Sequence, residues 1–152
     1  MAILTKEQAQ AILKKALSYS KAEECEVSLQ GSEGGNIRYA RNAVSTAGDI
    51  STMSLGISST FAKKTGTATI NEFDDASLEK VVRRSEELAQ LAPPNPEYVS
   101  LEGPKTFKDA NTYNATTAAV NPDIRAEAVL KSLNVAKEAK LEAAGYLENT
   151  TS

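Results

Sequence analysis

Period-two alternation of polarity recurs through residues 24–71, and helical periodicity brackets it on both sides. Few architectures accept that order. The simplest is an antiparallel sheet of consecutive strands packed by amphipathic helices from the two ends of the segment. Cys25, Val27 and Leu29 point one way, and Glu24, Glu26, Ser28 and Gln30 the other. Gly31-Ser32-Glu33-Gly34-Gly35 is expected to turn the chain. Residues 36–41 resume as a strand, with Ile37 and Tyr39 on one face and Arg38 on the other. Residues 42–49 are less regular, with Val44 and Thr46 extending the sheet after a bulge or kink. Met53, Leu55, Ile57 and Ser59 alternate with Thr52, Ser54, Gly56 and Ser58 in the cleanest strand. Lys63-Lys64-Thr65-Gly66 reads as a hairpin turn and residues 67–71 as the returning strand.

The flanking helices announce themselves by their ends. Thr5-Lys6-Glu7-Gln8 fits a capping box, and Ala9, Ile12, Leu13, Ala16 and Leu17 follow at helical spacing, so a helix is expected over residues 6–20. Asp74, Asp75 or Ser77 caps the next, whose buried stripe is Leu78, Val81, Val82, Ser85 and Leu88 or Ala89. It ends by Leu91, because Pro93, Pro94 and Pro96 cannot continue it. Periodicity is lost over residues 97–120, where Phe107 and Tyr113 stand as isolated anchors. Pro122 fits a first helical turn capped by Asn121, with Ile124, Ala128, Leu133 and Ala136 continuing to about residue 139. Residues 145–150 are strand-like and lack a following partner, which reads as a second α/β unit cut short. The expected fold is therefore α/β (α+β): a compact unit over 1–98 (helix, four-strand meander, helix), a linker over 99–121, and a truncated second unit over 122–152.

Composition excludes several function classes. With no histidine in 152 residues, neither a Ser-His-Asp nor a Cys-His mechanism can be assembled, and the His-containing zinc motifs are absent. A net charge of −3 with dispersed Lys and Arg gives generic nucleic-acid binding no footing. No apolar run approaches the ~20 residues that span a bilayer, and residues 1–6 do not open a secretory signal. One cysteine permits no intrachain disulfide, which fits a reducing cytoplasm.

Candidate sites compete with plainer readings. Cys25, on the apolar strand face, reads as a structural thiol, since no cation that would activate it is evident. Glu72, Asp74 and Asp75 precede a helix, so capping explains them better than Ca²⁺ or Mg²⁺ binding. The glycines of 31–35 are not followed by a helix, which argues against a phosphate loop, and Gly66 reads as a turn residue. Asn149-Thr150-Thr151 fits a glycosylation sequon that lacks a secretory route. Thr52, Ser54, Ser58 and Thr60 form a polar strand face that reads as solvated. The sharper alternative is that an edge of this sheet receives an extended peptide.

Three stretches carry a family resemblance. They are Ala22 through Leu29 with Ile37-Arg38-Tyr39-Ala40-Arg41-Asn42; Asn71-Glu72-Phe73-Asp74 with the helix after it and Ala92-Pro93-Pro94-Asn95-Pro96-Glu97-Tyr98-Val99; and Ala143-Ala144-Gly145-Tyr146-Leu147-Glu148. Together they resemble the N-terminal part of the TldD/PmbA family, long described as modulators of DNA gyrase and related to metallopeptidases. The resemblance implies a mixed α/β domain preceding a β-rich one. It also implies that active members bind zinc through a His-Glu-x-x-x-His motif, which has no counterpart here. It implies a homo- or heterodimer with a family member, and unfolded peptide as the substrate class. No residue of this chain is therefore assigned a catalytic, cofactor-binding or metal-binding role. The expected function is a non-catalytic scaffold and substrate-cleft region of a zinc metallopeptidase or its inactive homologue, in proteolysis of peptides. The alternative is a stand-alone protein-interaction module.

Overall fold

The computed structural model describes residues 3–103 and 105–152. Along the chain these form α1 (Lys6–Tyr19), β1 (Glu24–Ala40), β2 (Ala43–Phe61), β3 (Lys64–Ile70), α2 (Asp75–Leu91), the single turn α3 (Ala115–Ala118), α4 (Pro122–Glu138) and β4 (Gly145–Thr151). The strands make a four-stranded sheet in the order β3-β2-β1-β4. β3 runs antiparallel to residues 55–61 of β2, and β4 antiparallel to residues 33–39 of β1. The fold class is the α+β arrangement expected, reached with a different strand count. Residues 24–71 hold three strands, and the fourth comes from the end of the chain.

Two features account for the difference. Residues 31–35 are extended inside β1 and do not turn. The turns lie at Arg41-Asn42, with φ of 52° and 58°, and at Ala62-Lys63, with φ of 47° and 63°. Positive φ at both central residues marks the two-residue type I′ hairpin, whose twist matches that of the strands. Neither turn has the glycine that usually marks it, so the glycine-based reading misplaced both. Asn42 is held by its neighbours: its Nδ2 donates to Leu141 O at 2.8 Å, and its Oδ1 accepts from Ala143 N at 2.7 Å.

Contacts divide the chain into two compact units that interleave in sequence. Of the described residues, one comprises those within 4–31 and 53–109, the other residue 3 with 32–52 and 110–152. The division runs through β1 and β2.

In the unit of residues 4–31 and 53–109, Ala16, Leu55, Ile57, Leu78, Val81 and Val82 form the core. Burying a side chain the size of Leu78 or Val82 contributes about 1.5–3 kcal/mol. The α1 capping box is present, with Thr5 N donating to Gln8 Oε1 at 3.0 Å and Gln8 N to Thr5 Oγ1 at 3.3 Å. Asp74 caps α2 by accepting from Ser77 N at 3.0 Å. α1 has no basic residue in its last turn. Arg83 of α2 supplies the charge, donating to Tyr19 O while paired with the buried Glu86. Beyond α2, Tyr98 donates its hydroxyl to Glu24 Oε2 at 2.7 Å and Leu101 N donates to the same oxygen at 2.8 Å. The Leu101 N–H, and then the Tyr98 hydroxyl, hold the Glu24 carboxyl below the usual carboxylate range.

α2 lies close on the sheet because the facing residues are small. Ser59 pairs with Gly66 across β2 and β3, and Ser59 Oγ meets Ser85 Oγ at 2.7 Å in a fully buried contact. Ser85 Oγ donates to Val82 O at 2.8 Å, so Ser59 donates to Ser85. A Cβ on Gly66 would run into the α2 backbone at Ser85, Ala89 and Leu88, the last at 2.7 Å.

In the other unit, Ile37, Val129 and Leu133 form the core, with Tyr39, Ala126, Ala143 and Leu147 packed around it. α4 is capped by Asn121, whose Oδ1 accepts from Ile124 N at 3.0 Å, and has proline in its first turn as expected. Its buried stripe is Arg125, Val129 and Leu133; Leu133 is buried and Ala136 half-buried as expected, whereas Ile124 and Ala128 face solvent. Phe107 and Tyr113, expected as anchors, are 86% and 64% exposed. Among the described residues, no helix is long and apolar enough to cross a membrane.

Gly66→Ala should destabilise the protein by about 1–3 kcal/mol or more in urea unfolding, because the methyl has nowhere to go. Gly103→Ala, where a Cβ meets nothing within 4 Å, is the control. It should stay within about 0.5 kcal/mol.

Candidate functional site

The open edges of the sheet follow from strand lengths. β1 has 17 residues and β2 has 19, while β3 and β4 have seven each. β3 covers β2 only from residue 55 onward, and β4 covers β1 only from residue 33 onward. Residues 43–52 of β2, all within one compact unit, therefore form a long outer edge on which every residue is exposed. An edge strand presents a row of outward N–H and C=O groups, and proteins commonly blunt it with charge or cover. Residues 24–32 of β1 carry Glu24 and Glu26, with Tyr98 and Leu101 tied to Glu24. β3 begins with Lys64, and β4 carries Glu148 at its centre. The 43–52 edge has one charge, Asp49, and exposes Val44 and Ile50 by 43% and 46%.

Asp49 also belongs to a cleft of about 560 Å³ in the same unit, with Ile50, Tyr113, Val120, Arg125 and Asn149 among its lining. Arg125 organises this cleft. It projects from the second turn of α4 and is 3% exposed. One terminal nitrogen donates to Asp49 Oδ1 at 2.6 Å, and the other donates to Asn149 Oδ1 at 2.8 Å. The guanidinium lies flat on Gly35, where any Cβ would occupy its space. Its Nε–H is buried with no acceptor among the described residues. Arg125 thus ties α4 to β2 and β4 across the glycine of β1. Burying a guanidinium is costly unless it is paired, and Asp49 supplies the countercharge.

The residues singled out in the sequence are distributed as follows. Cys25 is half-buried against the core of the other unit. Glu72, Asp74 and Asp75 have separate partners: Glu72 accepts from Ser77 Oγ at 3.2 Å, Asp74 caps α2, and Asp75 pairs with Lys15 Nζ at 2.9 Å. The Ser77 side chain and N–H hold the Asp74 carboxyl below its ordinary value. Gly34 and Gly35 admit β4 and Arg125 and do not turn the chain, and Gly66 admits α2. Asn149 of the sequon has its side chain engaged by Arg125. Thr52 and Ser54 are exposed and Ser58 is half-buried, but Thr60 is 5% exposed and bonded to Thr65 Oγ1 at 2.9 Å. Residues 55–61 of β2 have neighbours on both sides, so the open edge is the earlier half of the strand. Arg125 and the 43–52 edge escaped the sequence reading. The signal for Arg125 was its place four and eight residues before Val129 and Leu133, on one helix face. Among the described residues there is no group of three or more His, Cys, Asp or Glu placed to hold a metal.

Residues 25–89 match the family profile described as PmbA/TldA metallopeptidase domain 1. The fold matches several solved structures, three of which follow. TldE from Thermococcus kodakarensis superposes with a TM-score of 0.74 at 17% identity, over 93% of this chain and 37% of that one. A candidate modulator of a DNA gyrase from Thermotoga maritima gives 0.70 at 15%, over 93% and 38%. A candidate modulator of DNA gyrase from Bacteroides thetaiotaomicron gives 0.68 at 18%, over 95% and 38%. The chain thus spans less than two-fifths of the length of each. No curated protein sequence matches it.

Asp49→Asn should cost about 1–3 kcal/mol in urea unfolding, because it strips the countercharge from a buried guanidinium, although the carboxylate itself is 70% exposed. Glu87→Gln, which breaks the exposed Arg84–Glu87 pair at 3.3 Å, is the contrast. It should cost less than about 1 kcal/mol.

Proposed function

Residues 25–89 carry the first domain of the PmbA/TldD family, and from that premise we propose that the chain is a non-catalytic scaffold that presents an extended peptide along the 43–52 edge of β2. The observation behind this reading is the combination of length, exposure and near absence of charge on that edge. A ten-residue edge offers alternating main-chain donors and acceptors to an incoming strand. Main-chain pairing holds peptides with little regard to their sequence, which suits a processing role.

Peptide hydrolysis needs groups this chain does not offer. There is no histidine in the sequence and no described cluster of three metal-ligating side chains. A catalytic zinc ordinarily takes three protein ligands, most often including histidine, and keeps an open position. The residues here do not fit such an ion, so in this reading metal and chemistry belong to the rest of a longer parent. A second family member that completes the substrate path is the partner this reading implies. The single thiol, Cys25, suits a reducing compartment, and we place the protein in the cytoplasm.

Hydrogen–deuterium exchange in the presence of an unfolded peptide tests the pairing. Amides on residues 43–52 should gain protection, and those of β3 should not. Unchanged exchange across residues 24–71 would reject the reading.

A further inference from the structure

The Nε and Nη2 groups of an arginine share one edge of the guanidinium and form a fork that matches the two oxygens of a carboxylate. On Arg125 only one prong of that fork is engaged. Nη2 donates to Asp49 Oδ1 at 2.6 Å, and the buried Nε–H has no acceptor among the described residues. The rest of the group is fixed: Nη1 donates to Asn149 Oδ1 at 2.8 Å, and Gly35 backs the guanidinium plane. The ion pair is lopsided in burial, with the Arg125 side chain 4% exposed and that of Asp49 70%. A buried, immobilised cation thus takes its countercharge from a carboxylate that stands mostly in water. Small-molecule sites are commonly of about 300–1,000 Å³, and the cleft that Arg125 lines, at about 560 Å³, falls within that range. Ile3, Ile50, Tyr113 and Val120 give it apolar walls. Pro122 lines it too, which brings the positive end of the α4 dipole alongside. The other carboxylate of the lining, Glu33, has a partner of its own.

We infer that this cleft binds a monocarboxylate with an apolar body, whose two oxygens take the Nε–H and Nη2–H of Arg125 while Asp49 turns out into solvent. The ligand makes two charge-assisted hydrogen bonds where Asp49 makes one, and it satisfies the donor left over. The buried guanidinium keeps a countercharge throughout, and the displaced carboxylate moves into water to which it is already largely exposed. The apolar walls take the body of the ligand. A neutral acceptor such as a carboxamide brings no charge to replace that of Asp49 and is excluded on that ground. Two sources share the required chemistry: a free organic acid, and the C-terminus of a peptide that ends in an apolar residue. The inference does not rest on the edge pairing proposed above.

The test is proton–nitrogen correlation NMR of the whole chain near neutral pH. It is titrated with phenylpropionate, with N-acetyl-glycyl-glycyl-phenylalanine bearing a free C-terminus, and with the carboxamide of each. At least one acid should move the Arg125 Nε–H resonance downfield, and its carboxamide should bind at least about tenfold more weakly. Whichever acid binds tells a free organic acid from a chain terminus. Asp49→Asn removes the competing charge, so the same acid should bind this variant about tenfold more tightly and raise its thermal midpoint. The titration of the native chain decides alone should the variant fail to fold. Failure of both acids to bind, equal binding of acid and carboxamide, or binding that leaves the Nε–H resonance in place would overturn the inference. So would unchanged or weaker binding to folded Asp49→Asn.

Discussion

Two strands of 17 and 19 residues flanked by strands of seven cannot both be covered, and much of the structure answers that mismatch. β3 pairs with the second half of β2, and β4 with the second half of β1. An open length remains on each long strand. On β1 the open length carries two glutamates and a hydrogen-bonded segment near its start. On β2 it carries one aspartate, whose Oδ1 is engaged by Arg125. The second edge is thus the less defended by charge.

Close approach is the other recurring device. At Gly66 the α2 backbone comes down onto β3, with Ser59, Ser85 and Ala89 completing a small-residue seam. At Gly35 the sheet makes room for a guanidinium. These contacts lie in different compact units and do different work. The seam lets a helix cover its sheet with dispersion contacts and one buried hydroxyl pair. The guanidinium spends desolvation to join three elements, and it needs Asp49 and Asn149 to be tolerable at all.

What the sequence revealed follows from how local each determinant is. The capping box at Thr5 and Gln8, the Asp74 cap, the Asn121-Pro122 start and the proline stop after Leu91 are encoded within four residues, and each appears where its chemistry predicts. The glycines misled because glycine has two uses. It frees the backbone for turns, and it removes a side chain where something must come close; Gly34, Gly35 and Gly66 serve the second use. The turns themselves fell on Arg41-Asn42 and Ala62-Lys63, where no glycine advertised them. Arg125 was missed because a charged residue within a helix reads as solvated, and the partners that make its burial possible, Asp49 and Asn149, are 76 and 24 positions away. The 43–52 edge was illegible for a different reason: an edge is defined by which strand is absent beside it.

Family membership and geometry bear on function in complementary ways. The match of residues 25–89 to PmbA/TldA metallopeptidase domain 1 motivates the proposal of a peptide substrate, and the open edge of the sheet is where that proposal would put its main chain. The most direct check is isotope-edited NMR of the labelled chain with an unlabelled extended peptide. Intermolecular cross-strand contacts between the peptide and residues 43–52 are the expected result. Contacts confined to β3 or β4, or none at all, would contradict the account.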